Sequence, residues 1–252
     1  MPDRIRIEWA YKPVDYFEDR LVANLEGIDI EIYNGSVIVE FDAKTFDNDP
    51  SIRDRLEQYT QSLFKGARLQ SHAEFEISGG AVYRLHPGGR TDVTIFAETA
   101  GALAMAGSLD IKVTDSTGKV IKDTRQERFN EKRHFALAVA SQRGKDATLD
   151  SMLASYDAAV RDPKNELVHL YEIRDALAAR FGGETKARTA LRISSQKWSR
   201  LGRLANEEPL WQGRHRGKSV SQLRDATPDE LSDARSIARE MVISYINYLG
   251  RQ

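Results

Sequence analysis

The residues best suited to chemistry stand together in the last third of the chain, where Arg214, His215 and Arg216 are consecutive. Two flanking cations disfavour a protonated imidazole, so His215 is expected to be neutral near neutral pH and able to accept a proton. Such a group could act as general base on a ribose 2′-hydroxyl, with Arg214 and Arg216 stabilising the charge of the neighbouring phosphate. Pro209, Gly213 and Gly217 make this segment a loop between helices, and loops on rigid scaffolds often carry function.

The loop belongs to a wider basic stretch. Between Lys186 and Arg224 the chain carries Lys197, Arg200, Arg203, Arg214, Arg216 and Lys218 among other cations, against only Glu207 and Glu208, with Trp198 and Trp211 interleaved. Lysine and arginine neutralise phosphates with release of counterions, and exposed rings stack on unpaired bases. Lys197, Arg200, Arg203, Arg216 and Lys218 are therefore the expected nucleic-acid contacts, with His215 and Arg214 the expected catalytic pair. A plainer reading stands beside this one. Trp198, Leu201 and Leu204 share a helical face suited to a core, which leaves Arg200 and Arg203 on an ordinary solvated face. The run from Ala190 to Ser194 also resembles the turn of a helix-turn-helix, whose second helix would present Gln196, Lys197, Ser199, Arg200 and Arg203 to a groove. Arg192 stands where such turns often prefer glycine.

A helical segment beginning Leu170-Tyr171-Glu172-Ile173-Arg174-Asp175-Ala176-Leu177, followed by an Arg-His loop and a long last helix, resembles the HEPN superfamily. The resemblance covers Leu149 to Leu249. It implies a helical architecture and the habits of that superfamily, whose members are RNA-cleaving dimers or inactive relatives in toxin, defence or stress systems. The usual motif there is an arginine, commonly followed by a polar residue, with a histidine four to six residues further on. Arg214 and His215 are adjacent instead. Arg128 and His134 are suitably spaced, but Phe129 follows the arginine. Arg161 and His169, with Asp162 in the polar place, are one residue too far apart.

Other chemistries find no support. The chain has no cysteine, which excludes disulfides and thiolate sites. Its histidines (His72, His86, His134, His169 and His215) are too scattered for a helical metal motif, so neither metal nor cofactor is expected. Thr117-Gly118-Lys119 lacks the upstream glycine and following hydroxyl of a phosphate-binding loop and reads as a hairpin turn. No Gly-x-Ser-x-Gly elbow occurs. The formal net charge is −1, so any basic surface must be local. No apolar run approaches a membrane span, the most apolar stretches being Ala97 to Met105 and Phe135 to Ala140, and the first residues are charged rather than leader-like. A cytoplasmic location without membrane contact is the expectation.

The elements that must position these residues divide the chain in two. Arg4 to Trp9 alternates apolar and charged residues, the period of a half-buried strand. Ile28 to Tyr33 and Ser36 to Phe41 flank Asn34-Gly35, the pair that accepts a type I′ turn. Asp49 and Pro50 should open a helix with Ile52, Leu56, Tyr59, Leu63 and Phe64 on one face, and Gly66 is expected to end it. Strands are expected at Glu74 to Ile77, Ala81 to Leu85, Asp92 to Ala97 and Leu109 to Thr114, with turns at Gly79-Gly80, Pro87-Gly88-Gly89 and Ser116-Thr117-Gly118. Thr124 to Arg143 carries mixed strand and helix signals.

Beyond a linker at Gly144-Lys145-Asp146 only helices are read. Leu149, Met152, Leu153, Tyr156 and Val160 form one stripe. Pro163 opens the next helix, which Gly182-Gly183 closes. Shorter helices follow at Glu184 to Leu191 and Ser195 to Ala205. Thr227-Pro228-Asp229-Glu230 then combines a capping box with proline at the first helical position. The expected fold class is α+β: a strand-rich antiparallel domain over residues 1–144 with one packed helix, then an all-α bundle over residues 145–252.

Two functions follow. In one, the basic bundle binds RNA or another phosphate-rich ligand, with or without cleavage by His215. In the other, the chain is a non-catalytic interaction protein, a homodimer through its long last helix, whose strand-rich half binds a protein partner.

Overall fold

The computed structural model describes residues 2–95, 110–114, 117, 119–142, 144–214, 216–218 and 222–251. The fold is α+β, with an antiparallel sheet in the first half followed by helices. Two compact units divide it: residues 1–67 with 74–140, and residues 68–73 with 141–252. The short segment 68–73, far from the helical half in sequence, thus belongs to the helical unit.

In the first unit, β1 (Arg4–Lys12), β2 (Leu21–Leu25), β3 (Ile28–Tyr33), β4 (Ser36–Asp42), β5 (Glu76–Leu85) and β6 (Thr91–Ile95) form one sheet in the order β2-β3-β4-β1-β5-β6. All its pairings are antiparallel. The alternation in β1 does what period two requires: Ile5, Ile7, Trp9 and Tyr11 are buried while Arg4 and Lys12 are exposed. Asn34 and Gly35 turn the β3–β4 hairpin with φ of 49° and 82°. The β2–β3 hairpin escaped the sequence reading because Glu26 (φ 53°) takes a left-handed position usually signalled by asparagine or aspartate.

Gly79-Gly80 is not a turn. It lies within the single strand β5, where the register against β1 shifts between Glu8 and Ala10. Gly80 has φ 144°, and a Cβ there would stand 3.2 Å from Trp9 Nε1. The bulge therefore accommodates the tryptophan.

Helices α1 (Ala43–Asn48), α2 (Ile52–Ser71) and α3 (Thr124–Gln142) accompany the sheet. The expected face of α2 is buried, and its Phe64 meets Tyr11 of β1 edge-on at 5.1 Å. Gly66 does not end α2, which continues to Ser71. A Cβ on Gly66 would overlap the Phe135 carbonyl and the Ala136 Cα, so this glycine admits the backbone of α3. The ambiguous segment after Thr124 is helix α3. Strands β7 (Lys112–Thr114) and β8 (Val120–Asp123) form a separate antiparallel hairpin just before it. Phe96, Ala97, Leu109, Ser116, Gly118 and Arg143, which belong to the expected strand ends, a turn and the end of the mixed-signal segment, lie outside the described residues, as does the rest of the Ala97 to Met105 stretch.

The helical unit contains α4 (Ala147–Arg161), α5 (Glu166–Phe181), α6 (Glu184–Leu191), α7 (Ser195–Asn206) and α8 (Pro228–Leu249). Asp146 caps α4, and a 3-10 turn over Pro163–Asn165 leads into α5. Thr227 and Glu230 close the capping box of α8 reciprocally. Ala234, Ala238, Met241, Val242 and Tyr245 of α8 are fully buried inside the unit. The apolar face of α8 is therefore covered by the chain's own helices.

Candidate functional site

Several cations of the basic stretch pair with acids of the unit they belong to. Ser194 caps α7 by accepting the Lys197 backbone N–H, which sets the helix so that Trp198, Leu201 and Leu204 point inward, each fully buried. Trp198 is a core residue and presents no ring for stacking. On the flank of the same helix, Lys197 donates to Glu240 and Arg200 Nε donates to Asp233 Oδ2 at 2.8 Å. The two acids stand seven residues apart on α8, two helical turns, and so match the basic flank of α7. The segment expected to read a groove thus faces a neighbouring helix with two of its cations. Arg203, Gln196 and Ser199 remain exposed. Arg192 does adopt the left-handed conformation of the turn, with φ 58° and ψ 37°.

The loop that follows lies along α5. Arg214 stacks on Tyr171, 4.7 Å from the ring centroid, and its Nη1 donates to Asp175 Oδ2 at 3.3 Å. Arg216 donates through Nε to the Gly213 carbonyl at 2.9 Å, and through Nη2 to the Lys164 carbonyl and Asn165 Oδ1. Arg214 therefore pins the loop to α5 and Arg216 pins it to the 3-10 turn before that helix. Arg174 continues the stack, 5.0 Å from the Tyr171 ring and 5.4 Å from Trp198, and donates to Glu184 at 3.2 Å. Gly202 leaves room for its guanidinium, because a Cβ there would overlap Nη1. Arg224 is held by Glu230 through two bonds of 2.7 Å. Lys218 lies in a 3-10 turn over Arg216–Lys218, and His215 lies outside the described residues. Among the predicted site residues, Arg214 lies against α5 and Arg216 against the 3-10 turn before it, while Lys197 and Arg200 come together against α8.

A polar cluster that no motif signalled lies inside the same unit. Glu166 opens α5 with its side chain only 1% exposed. It accepts Arg235 Nε at 2.5 Å and Nη2 at 2.8 Å, and His72 Nε2 lies 3.3 Å away. The other ring nitrogen of His72 is 3.3 Å from the Tyr156 hydroxyl, which donates to the Leu69 carbonyl at 3.2 Å. Arg68, 1% exposed, pairs with Asp157, and Arg239 donates to Gln70 at 2.6 Å. Burial pushes the Glu166 carboxyl up, but Arg235 and His72 together outweigh it and hold it below its ordinary range. The cluster satisfies buried charge and ties segment 68–73 into the bundle. A sequence separation of 94 residues between His72 and Glu166 left no local signal of it.

The strand-rich unit shows an unusual exposure of aliphatic side chains. Strand β6 ends the sheet, and all five of its residues are exposed. Register places Ile95 opposite Ala81 and Val93 opposite Tyr83, all on the face away from Trp9 and Val82. Val93 is 50% exposed and Ile95 75% exposed. The β7–β8 hairpin adds Val120 and Ile121, with Ile111 beside it, all exposed.

No protein-family model, curated protein or solved structure matches the chain. Among the described residues, no group of three or more His, Asp or Glu could hold a metal ion, and no helix is long and apolar enough to cross a membrane.

Proposed function

We propose that this chain is a non-catalytic interaction protein of the cytoplasm, docking an extended segment of another protein on the β6 edge of its strand-rich unit. The observation that carries this reading is β6 itself. It is the terminal strand, and among the described residues nothing pairs with its outer edge. Neither of its faces is buried, so it gains little of the apolar burial that normally offsets the entropy of ordering a strand. An edge whose outer N–H and C=O groups have no strand partner among the described residues, beside exposed valine and isoleucine, is the arrangement that strand addition uses. The added strand would place apolar residues opposite Val93 and Ile95 and polar ones opposite Asp92 and Thr94.

The phosphate-binding alternative is less favoured, because Lys197, Arg200, Arg214 and Arg216 already hold acids, amides or carbonyls of their own unit. A phosphate would have to displace those partners.

Selection of displayed extended peptides on the purified protein tests the proposal. It should enrich alternating apolar–polar sequences, and the Val93→Glu/Ile95→Glu variant should weaken their binding by roughly tenfold or more, about 1.4 kcal/mol. Absence of enrichment, or binding indifferent to the two substitutions, would sink the reading. Salt-sensitive binding of a labelled single-stranded RNA, weakened by Arg203→Ala, would favour the basic surface instead.

A further inference from the structure

The residues just beyond the paired ends of β1, β5 and β6 form a charged row in the strand-rich unit. Register aligns Arg4 with Leu85 and Leu85 with Thr91, so Asp3, His86 and Arg90 follow side by side. His86 stands between two carboxylates. Its Nδ1 is 3.0 Å from Asp3 Oδ2, and its Nε2 is 2.8 Å from Asp92 Oδ2. An ionised carboxylate can only accept hydrogen bonds, and a neutral imidazole has a single N–H to give. Both contacts can be made together only by the doubly protonated ring.

We propose that His86 is a proton-operated latch on the edge strand: its imidazolium bridges Asp3 and Asp92 and holds β6 to the start of β1, and its neutral form releases one of the two. The surrounding charges allow release without collapse. Arg84 of β5 pairs with Asp47 of α1 and lies 3.8 Å from Asp3, and Arg90 donates to Asp92 through Nε at 3.0 Å. Each carboxylate thus keeps a guanidinium when the imidazole loses its proton. The bonds from His86 and Arg90 hold the Asp92 carboxyl below its ordinary range, which keeps it an acceptor over the interval in which histidine titrates. An incoming strand pairs well only with a β6 held in position, so docking would be stronger on the acid side. That consequence alone rests on the docking reading above.

Amide hydrogen exchange of the whole chain, corrected for the intrinsic pH dependence, tests the latch without any partner. Raising the pH from about 5 to about 8, the interval of histidine charge change, should lower the protection of the Thr91 to Ile95 amides relative to those of β3. The expected loss is roughly three- to tenfold, the scale of one partly exposed charge-assisted contact. His86→Gln and Asp92→Asn should each remove the pH-dependent part and leave β3 protection unchanged. A wild-type β6 that shows no such loss, or a His86→Gln variant that retains it, would overturn the latch. Peptide binding at β6 that is lost in the Val93→Glu/Ile95→Glu variant would survive that failure, so the two ideas fail separately.

Discussion

Replacing Arg235 by leucine should destabilise the helical unit far more than a surface change would. Glu166 is 1% exposed and accepts two bonds from Arg235, at 2.5 and 2.8 Å. Without the guanidinium, the carboxylate retains only His72 at 3.3 Å as a partner among these contacts. Removing one member of a buried ion pair costs about 3–5 kcal/mol, because the other charge is left desolvated. Arg235 is itself 35% exposed, so water can enter the gap, and the lower end of about 3 kcal/mol is the expected loss. Urea unfolding read from Trp198, the buried tryptophan of that unit, in a Trp9→Phe/Trp211→Phe background would measure it.

Two controls sharpen that experiment. The Glu166→Leu/Arg235→Leu double variant should recover most of the loss, since an apolar pair of similar volume replaces a buried ion pair at little cost. The pH dependence has a defined sign. A folded carboxyl held below its ordinary value contributes stability above the ordinary carboxyl range, and that stability is lost as pH falls through the folded value. The Arg235→Leu deficit should therefore be largest near neutrality and shrink on acidification, as protonation relieves the stranded carboxylate. A deficit under about 1 kcal/mol at neutral pH, typical of an exposed pair, would refute the reasoning, as would a deficit indifferent to pH.

Residues 145–252 expressed alone lack Arg68 and His72, the partners of Asp157 and Glu166, and should show no cooperative thermal transition by circular dichroism, whereas residues 68–252 should regain one. Gly66→Ala should destabilise by about 1–3 kcal/mol in urea, although alanine is the better helix former, because its Cβ meets the backbone of α3. Thr227→Ala should cost about 1 kcal/mol through loss of the α8 cap. Glu230 is held by Arg224 and the Thr227 backbone with its carboxyl lowered to about 2, so the stability it lends should be full above the ordinary carboxyl range, decline progressively as pH falls below that range, and be gone once pH drops through the folded value.

The amino-acid sequence by itself determined the elements whose signals are local. The period of Arg4 to Trp9, the Asn34-Gly35 turn, the apolar face of α2 and the capping box before α8 each need only a few neighbouring residues, and each took the conformation its chemistry dictates. The α+β class followed from the change of period along the chain. Tertiary structure decided the rest. Whether Gly79-Gly80 turns or bulges depends on Trp9, and whether Gly66 ends a helix or admits another depends on Phe135, residues distant in sequence. The same holds for charge. Composition shows Lys197, Arg200, Arg214 and Arg216 as a basic run, but Glu240, Asp233, Asp175 and Asn165 meet them only in the folded bundle. Glu166 reads as an ordinary acid at a helix start until folding buries it beside Arg235 and His72. Local propensity acts over a turn or two, whereas burial and pairing are set by which distant segments the fold brings within a few ångströms.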